Sequence, residues 1–202
     1  MPEKATEVIL ASASPSRAAL LRAAGIAFRV QPAAVDEEEI KQSLRAEGAP
    51  AGDIAVALAE LKALRVSRAA GPALVIGADQ IMVCDDIQFD KPPDLAAARD
   101  QLLALRGQTH ALHTALAVAS QNVVIWHHID VARLTMRPFS DRFLDGYLAD
   151  AGESILDSVG AYRLEGLGIQ LFSRIDGEFF TILGLPILPL LAFLRGHRVV
   201  EQ

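Results

Sequence analysis

Several segments carry charged or hydroxyl side chains that could bind a polyanion, and the first is Ser12–Arg17. Small residues there follow an apolar run and lead into a helix that Ser14 can cap and Pro15 can begin. Free backbone N–H groups at a helix start attract an anion, and small side chains let a phosphate approach. Arg17 adds a forked donor in the first turn. The alternative is an ordinary capped helix with a solvated arginine.

Asp79 and Gln80 follow the apolar run Leu74–Ile76. We predict that a buried strand ends at this point, which would put the carboxylate where α/β folds place their ligands. A carboxylate in that place can deprotonate a water or hold a divalent cation. The alternative is an aspartate that only caps a turn.

Lysine is rare in this chain, and two lysines have unusual surroundings. Lys62 shares a predicted helix face with Ala55 and Ala59, where an ammonium group needs an anion if it is buried. Pro92 favours an extended Lys91, which could then meet a phosphate. The alternative for both is a solvated lysine.

The glycine-rich segment 160–168 contains Glu165. Its glycines indicate close backbone approach or unusual dihedral angles, although the order of a dinucleotide fingerprint is missing. A carboxylate there could accept hydrogen bonds from the N–H and NH₂ groups of guanine. The alternative is a glutamate on a surface loop.

Histidines and the one cysteine point to structure rather than to chemistry. The histidines lie in predicted strands without helical zinc spacing, so metal binding is the minority interpretation; they are His110, His113, His127 and His128. Cys84 has no activating neighbours in sequence, and a single cysteine excludes an internal disulfide.

Composition limits the class of protein and its partners. The 202 residues carry 25 acidic and 19 basic side chains, a net charge of −6, with no basic run, which argues against duplex nucleic acid as a partner. The apolar stretch Ile182–Leu194 is shorter than the ~20 residues that span a bilayer, so no membrane association is expected. Residues 1–6 lack the pattern of a secretory leader, and we expect a cytoplasmic protein.

The elements that must position these residues alternate between strands and helices around a long hairpin, which predicts a mixed α/β sheet. We expect an exposed acidic segment beginning at residues 36–39 and a helix capped by Asp53. The predicted strands are Thr6–Ala11, Phe28–Val30, Leu74–Ile76, Leu112–Val118, Val123–Met136 and Ile169–Ile175. The predicted helices begin after Ser14 and Asp53, cover Leu95–Leu105, follow Ser140 to Leu148, and close the chain at Leu185–Leu194.

Together these segments resemble the Maf family of nucleoside triphosphate pyrophosphatases. The motifs that carry the resemblance run in order along the chain: Leu10–Arg17, Val35–Glu37, Leu58–Ala63, Ile76–Asp79, Lys91–Pro92, Leu105–His110, Gly160–Tyr162, Glu165–Gly168 and Gly184–Pro186. The resemblance implies an inosine-triphosphatase-like (Maf/Ham-type) fold: a mixed twisted sheet with flanking helices. It also implies a single domain over residues 1–202, with two lobes around an active-site cleft.

The resemblance also implies a reaction and roles for residues. Water would attack the α-phosphorus of a nucleoside triphosphate to give the monophosphate and pyrophosphate, assisted by Mg²⁺ or Mn²⁺. Asp79 would be the proton acceptor and, with Glu37, would hold the metal. Lys62 and Lys91 would be catalytic residues that supply positive charge together with the substrate-binding Arg17, and the helix start after Ser14 would bind the anion. Family members commonly form homodimers.

The sequence departs from the common family pattern at four positions, and the first three named here align with positions linked to substrate choice in the family. Ser16, Gln80 and Glu165 stand where many members have Arg, Thr and Gln, and Ser158 replaces a lysine. The Gln and Glu replacements resemble the branch that acts on 7-methyl-GTP. Methylation at N7 puts positive charge on guanine and makes N1–H more acidic, so a carboxylate gains charge assistance where an amide gains less.

Three other functions stay open at this stage. The first is a pyrophosphatase that prefers dTTP or UTP. The second is a non-catalytic nucleotide-binding regulator of septum formation, which the missing lysine at Ser158 motivates. The third is an interaction module that uses the acidic face at residues 37–47.

Overall fold

The computed structural model describes residues 6–201 of the chain, in which seven strands and seven α-helices are formed. Residues 1–5, part of the segment considered for a leader, and residue 202 lie outside that range. The strands are β1 (Val8–Leu10), β2 (Arg29–Val30), β3 (Leu74–Cys84), β4 (Ile87–Phe89), β5 (Thr109–Ser120), β6 (Val123–Met136) and β7 (Phe172–Asp176). The helices are α1 (Pro15–Ala23), α2 (Glu37–Ala46), α3 (Ala51–Ser67), α4 (Leu95–Leu105), α5 (Asp141–Ala151), α6 (Phe179–Ile182) and α7 (Ile187–Gly196). Short 3₁₀ helices cover Gly152–Ile155 and Leu167–Leu171.

All seven strands belong to one sheet with the order β2-β1-β3-β5-β6-β7, and β4 pairs with β3 beside this path. Strand β1 runs parallel to both β2 and β3, whereas β4 is antiparallel to β3 and β7 is antiparallel to β6. The prediction of a mixed sheet with flanking helices is therefore confirmed. Among the described residues, no helix is both long enough and apolar enough to cross a membrane.

The chain divides into two compact units. The first unit comprises the chain up to Gln80, Thr114–Asp130 and the chain from Phe179 onward. Its main core packs side chains of β1 and β3 against helices α1 and α7, which keeps the ends of these elements in fixed places. The buried residues of that core are Val8, Leu10, Ala18, Leu21, Ile26, Leu74, Ile76, Ala78, Leu116, Val118, Leu185, Ile187, Leu190 and Leu194.

The second unit comprises Ile81–His113 and Val131–Glu178. Leucines from α4, β5, β6 and α5 are fully buried in it; they are Leu102, Leu105, Leu112, Leu134 and Leu144. A small aromatic cluster joins β5 to Tyr162 and to the first residue of β7, because the His110 ring lies 5.6 Å from the ring of Tyr162 and 5.9 Å from that of Phe172. The centre of this unit is therefore apolar, with the imidazole as its main polar group.

Helix starts follow the sequence signals in two places and depart from them in two others. Ser14 caps α1 with Pro15 at its first position, and Ser140 caps α5, both as predicted. The acidic segment after Asp36 is a helix, α2, which the sequence analysis missed; Asp36 accepts from the backbone N–H of Glu39, the N-cap arrangement. The prediction that Asp53 caps a helix was wrong, because α3 begins two residues earlier and Asp53 lies in its first turn.

Two predicted strand ends were also wrong. Strand β3 does not stop at Asp79 but continues to Cys84, because the residues after Asp79 are mostly apolar and buried. Asp79 therefore lies inside an eleven-residue strand, where its side chain points to one face of the sheet. The predicted strand Ile169–Ile175 is half 3₁₀ helix, and only Phe172–Asp176 pairs with β6.

Strand β3 and helix α3 approach each other closely at Gly77. A Cβ atom on Gly77 would lie 2.1 Å from the carbonyl oxygen of Ala59 and 2.8 Å from the backbone nitrogen of Ala63. Both neighbours are helix backbone, which cannot move aside as a flexible side chain can. This contact sets the distance between the helix that carries Lys62 and the strand that carries Asp79.

We expect Gly77→Ala to lower the free energy of unfolding by about 1–3 kcal/mol or more, because overpacking forces backbone shifts. Gly146→Ala is the matched control, since a Cβ there meets nothing within 4 Å inside α5 and alanine is the better helix former. Urea unfolding of both variants measures the difference. Equal midpoints for the two variants would show that the helix and strand are not in close contact at Gly77.

Candidate functional site

A buried lysine joins two carboxylates in the first unit. The Lys62 Nζ atom, on α3, lies 2.6 Å from Oδ1 of Asp79 on β3 and 2.8 Å from Oε2 of Glu37 at the start of α2. The side chains of Lys62 and Asp79 are 8% and 7% exposed, while that of Glu37 is 42% exposed. The solvated alternative for Lys62 is therefore wrong, and the two anions beside it are Asp79 and Glu37.

Asp79 uses only one of its two carboxylate oxygens within the described chain. Oδ1 accepts from Lys62, whereas Oδ2 is buried and has no hydrogen-bond partner among residues 6–201. Burial raises the pKa of Asp79, and the positive charges of Lys62 and Arg17 oppose that rise. Asp79 therefore binds a proton more readily than an exposed aspartate does, and its buried Oδ2 atom has no hydrogen-bond partner among the described residues.

Arg17 is anchored beside this carboxylate by hydrogen bonds from the Nε and Nη1 atoms of its guanidinium group. Nε donates to the carbonyl oxygen of Gly184 at 2.9 Å, and Nη1 donates to Ala78 O at 2.8 Å and Ser12 Oγ at 3.2 Å. Burial lowers the pKa of Arg17, while Asp79 and Glu37 raise it. None of these hydrogen bonds uses Nη2, which leaves its two N–H groups for another acceptor.

Gly184 leaves room for that arginine. Its φ is +88°, in the region that favours glycine, and a Cβ there would lie 3.2 Å from Arg17 Nε. The guanidinium group therefore lies directly against the backbone that precedes α7. The sequence analysis noted Gly184 only as part of a motif and did not foresee this contact.

The two serines of the predicted anion site lie at the start of α1. Ser14 Oγ accepts from the backbone N–H of Arg17 at 3.4 Å, and its own N–H donates to Ser12 Oγ at 3.2 Å. Ser16 is half-buried in the first turn of the helix. The helix start is thus organised as predicted, and Ser12, which was not singled out as a site residue, links it to Arg17.

Gln80, next to Asp79 on β3, is held by a polar network that sequence reasoning missed. Its Nε2 donates to Thr114 Oγ1 at 2.8 Å, to Thr181 O at 3.0 Å and to Ile182 O at 3.3 Å. Thr114 and Thr181 are fully buried. The available signal was a threonine inside the apolar run of β5, a polar group that must find partners when it is buried.

In the second unit, Lys91 and Glu165 each occupy a different environment. Lys91 is exposed just after β4 and before a buried Pro92. Glu165 Oε1 accepts from Arg163 Nε at 3.1 Å and Nη2 at 3.0 Å. Glu165 and Arg163 line a cavity of about 280 Å³ together with Tyr147, whose pKa is raised to about 12 by burial.

The histidines that the sequence analysis assigned to structure lie in strands and contact protein groups. His110 Nε2 lies 2.8 Å from the Tyr162 hydroxyl, and burial lowers the pKa of His110 to about 4, so the ring is neutral at physiological pH. His127 Nδ1 lies 2.9 Å from Glu60 Oε1. Residues 6–201 contain no group of three or more His, Cys, Asp or Glu side chains placed to hold a metal ion on their own.

The donor chemistry beside Lys62 nevertheless suits a hard divalent cation. Glu37 and Asp79 supply carboxylate oxygens, and Asp79 Oδ2 is buried with no protein donor to satisfy it among the described residues. Magnesium commonly binds one or two carboxylates and completes its shell with water and phosphate oxygens. Glu37 and Asp79 would therefore supply part of the coordination shell of such an ion, and the phosphate oxygens of a bound polyanion would supply more of it.

Comparison with known proteins places this chain among nucleotide-metabolising enzymes. A family model described as "Maf-like protein" matches residues 7–197. A "Nucleoside triphosphate pyrophosphatase" of Granulibacter bethesdensis is 54% identical, with 96% of this chain and 98% of the relative covered. A "7-methyl-GTP pyrophosphatase" of Rhizobium meliloti is 52% identical with the same coverage. A solved structure from Mycobacterium abscessus, titled a nucleoside-triphosphatase / dITP/XTP pyrophosphatase, covers 96% of each chain at 13% identity and a TM-score of 0.42, too low to support a conclusion.

We expect Lys62→Met to destabilise the protein by about 3–5 kcal/mol at pH 8, because it leaves the Asp79 carboxylate buried without its closest positive charge. The folded-state pKa of Asp79 is raised, so the stability that it contributes is present below the unfolded pKa and is lost as the pH rises towards the folded pKa. Removal of Lys62 raises that pKa further. The loss relative to wild type should therefore shrink from pH 8 towards pH 4.

Urea unfolding between pH 4 and pH 8 measures this effect. The double variant Lys62→Met/Asp79→Asn is the control, since the neutral amide that replaces the carboxylate does not titrate and the added pH dependence should disappear. A pH-independent loss in the single variant would contradict the assignment to Asp79.

Proposed function

The chain belongs to the Maf family, and on that premise we propose that it is a hydrolase of nucleoside triphosphates, producing the monophosphate and pyrophosphate. One observation carries this proposal: Lys62 joins two carboxylates while one oxygen of Asp79 stays buried and without a partner among the described residues. A site built only for stability would satisfy that oxygen, because an unpaired buried acceptor costs about 1–3 kcal/mol. An oxygen kept free in this way is suited to a water, a proton or a metal ion that comes with the substrate.

The first unit supplies positive charge for the triphosphate. The substrate carries about four negative charges, and its transfer is catalysed mainly by positioning and by neutralisation of charge. Three groups are suited to bind phosphate oxygens: the unused Nη2 of Arg17, the ammonium group of Lys62, and the start of α1, where Ser14 and Ser16 lie. Arg17 is already fixed by the protein, so little of its conformational entropy is lost on binding.

Asp79 is the proposed proton acceptor. Burial makes its carboxylate more basic than an exposed aspartate, and the positive charges of Lys62 and Arg17 oppose that rise in pKa. Oδ2 can then take a proton from the water that attacks the α-phosphorus, while Oδ1 stays bonded to Lys62. Orientation and proton transfer thus use different oxygens of one side chain.

Glu37 and Asp79 are the residues that would hold Mg²⁺ or Mn²⁺. When bound, such an ion neutralises charge on the phosphates and polarises them towards attack. Glu37 is the more exposed of the two carboxylates. Glu37 could therefore bind the ion while Lys62 stays paired with Asp79.

Nucleotide choice is assigned to Glu165 in the second unit and to Gln80 in the first, and Lys91 is assigned to phosphate binding from the family resemblance. We propose a preference for 7-methyl-GTP, or otherwise for a purine nucleotide. The name of the Rhizobium relative supports this preference, while the Granulibacter name is general. A carboxylate at Glu165 gains charge assistance from the cationic base, and the ion pair with Arg163 can hold that carboxylate in a fixed orientation.

Asp79→Asn is expected to lower kcat/KM by about 10²–10⁴-fold, the usual contribution of a positioned general base. Phosphate released by added inorganic pyrophosphatase, measured over a nucleotide panel with Mg²⁺ or Mn²⁺, follows the reaction and distinguishes pyrophosphate from phosphate as product. Asp145→Asn is the control, because Asp145 is exposed and pairs with Arg99 in the second unit. Full activity of Asp79→Asn would remove Asp79 from the mechanism, and nucleotide binding by the wild type without turnover would favour a non-catalytic regulator.

Glu165→Gln is expected to shift the preference from 7-methyl-GTP towards dTTP or UTP, because an amide loses the charge-assisted contact with the methylated base. The loss should be roughly tenfold in the ratio of kcat/KM values, the effect of about one charged hydrogen bond. Glu153→Gln, an exposed substitution in the same unit, is the control. An unchanged order of substrates would rule out Glu165 as a reader of the base.

A further inference from the structure

The hydrogen bonds around Gln80 decide which of its two amide atoms stays available. All three of them leave from Nε2, to Thr114 Oγ1, Thr181 O and Ile182 O, and none reaches Oε1. Gln80 is itself only half-buried, whereas both threonines are fully buried. The amide nitrogen is thus committed to the protein interior.

The chemistry of the neighbours forces this orientation. The carbonyl oxygens of Thr181 and Ile182 can only accept hydrogen bonds. Thr114 Oγ1 donates its single proton to Thr181 O at 3.0 Å, so towards Gln80 it can only accept. A flipped amide would therefore place an oxygen against three acceptors, and the assignment of nitrogen and oxygen in Gln80 is fixed by its surroundings.

The network also resists rotation of the amide as a whole. Thr181 is held at both ends, because its carbonyl oxygen accepts from Gln80 and Thr114 while its Oγ1 donates to Asp130 Oδ2 at 2.7 Å. Buried and fully bonded polar groups of this kind are costly to rearrange. Gln80 is therefore held in place before any ligand arrives.

We propose that Thr114 is a positioning residue that makes Gln80 a hydrogen-bond acceptor towards the nucleobase. The inference rests on the proposed function, in which Gln80 contacts the substrate. An acceptor at Oε1 favours guanine and uracil, which present a ring N–H, over adenine and cytosine, whose equivalent ring nitrogen accepts. Discrimination then comes from repulsion between two acceptors as much as from the hydrogen bond formed.

The test compares Thr114→Val, which keeps the shape of the side chain and removes the hydroxyl, with Thr114→Ser, which keeps the hydroxyl. We expect Thr114→Val to lower the preference for GTP over ATP, as a ratio of kcat/KM values, by roughly five- to tenfold, the effect of one neutral hydrogen bond. The change should lie in KM rather than in kcat, because Thr114 does not touch the reacting groups. Thr114→Ser should keep the wild-type ratio.

An unchanged ratio in Thr114→Val overturns the proposal, even where the melting temperature falls, because a merely structural threonine would give that result. If Thr114→Val does not fold, Gln80→Met removes the acceptor itself, and an unchanged ratio there is equally decisive.

Wild-type protein that hydrolyses neither nucleotide contradicts the proposed function instead. Dissociation constants for the α,β-methylene analogues of GTP and ATP then decide: a GTP preference that Thr114→Val reduces supports the proposal, and equal affinity or no binding overturns it.

Discussion

A lysine buried between two carboxylates is the interaction on which the first unit's chemistry depends. An ammonium group with so little exposure is stable only beside anions, and a carboxylate as buried as Asp79 stays ionised only beside cations. Each charge therefore stabilises the other, and a neutral residue at one position leaves a buried charge at the other with less compensation. The unpaired oxygen of Asp79 is possible only because this pair keeps the carboxylate in place.

The backbone makes this pairing possible before any side chain is considered. Lys62 and Asp79 belong to a helix and a strand whose separation is fixed where Gly77 touches the carbonyl oxygen of Ala59. Small residues on that face of α3 leave room for the long stem of Lys62, whose methylene groups lie in apolar surroundings while the ammonium reaches the carboxylates. Glycine and alanine at this contact thus affect the chemistry indirectly, because they let α3 and β3 lie close enough for Lys62 to reach Asp79.

Local sequence signals predicted the helix starts at Ser14 and Ser140, because each depends on residues close by along the chain. The burial of Lys62 was only one of two interpretations, since a helix face of small residues does not show what covers it. The position of Asp79 within β3 was missed, since an apolar run shows that a strand is buried but does not show where its pairing stops. The polar network around Thr114 could not be foreseen, because its partners come from segments far apart in sequence. The assignments of Lys91 and Glu165 to a nucleotide site stay predictions, as do the metal and the homodimer.

Unlike the other α-helices in residues 6–201, α2 has no buried side chain. Its hold on the rest of the protein comes from polar contacts, such as the ion pair of Glu37 with Lys62, and from partly exposed side chains. Segments with little apolar burial open locally at low free energy, so α2 can detach and return while the core beneath it stays folded. The Glu37 carboxylate is thus carried by a helix that local opening can move at low free energy, whereas Lys62 and Asp79 belong to a helix and a strand with many buried residues.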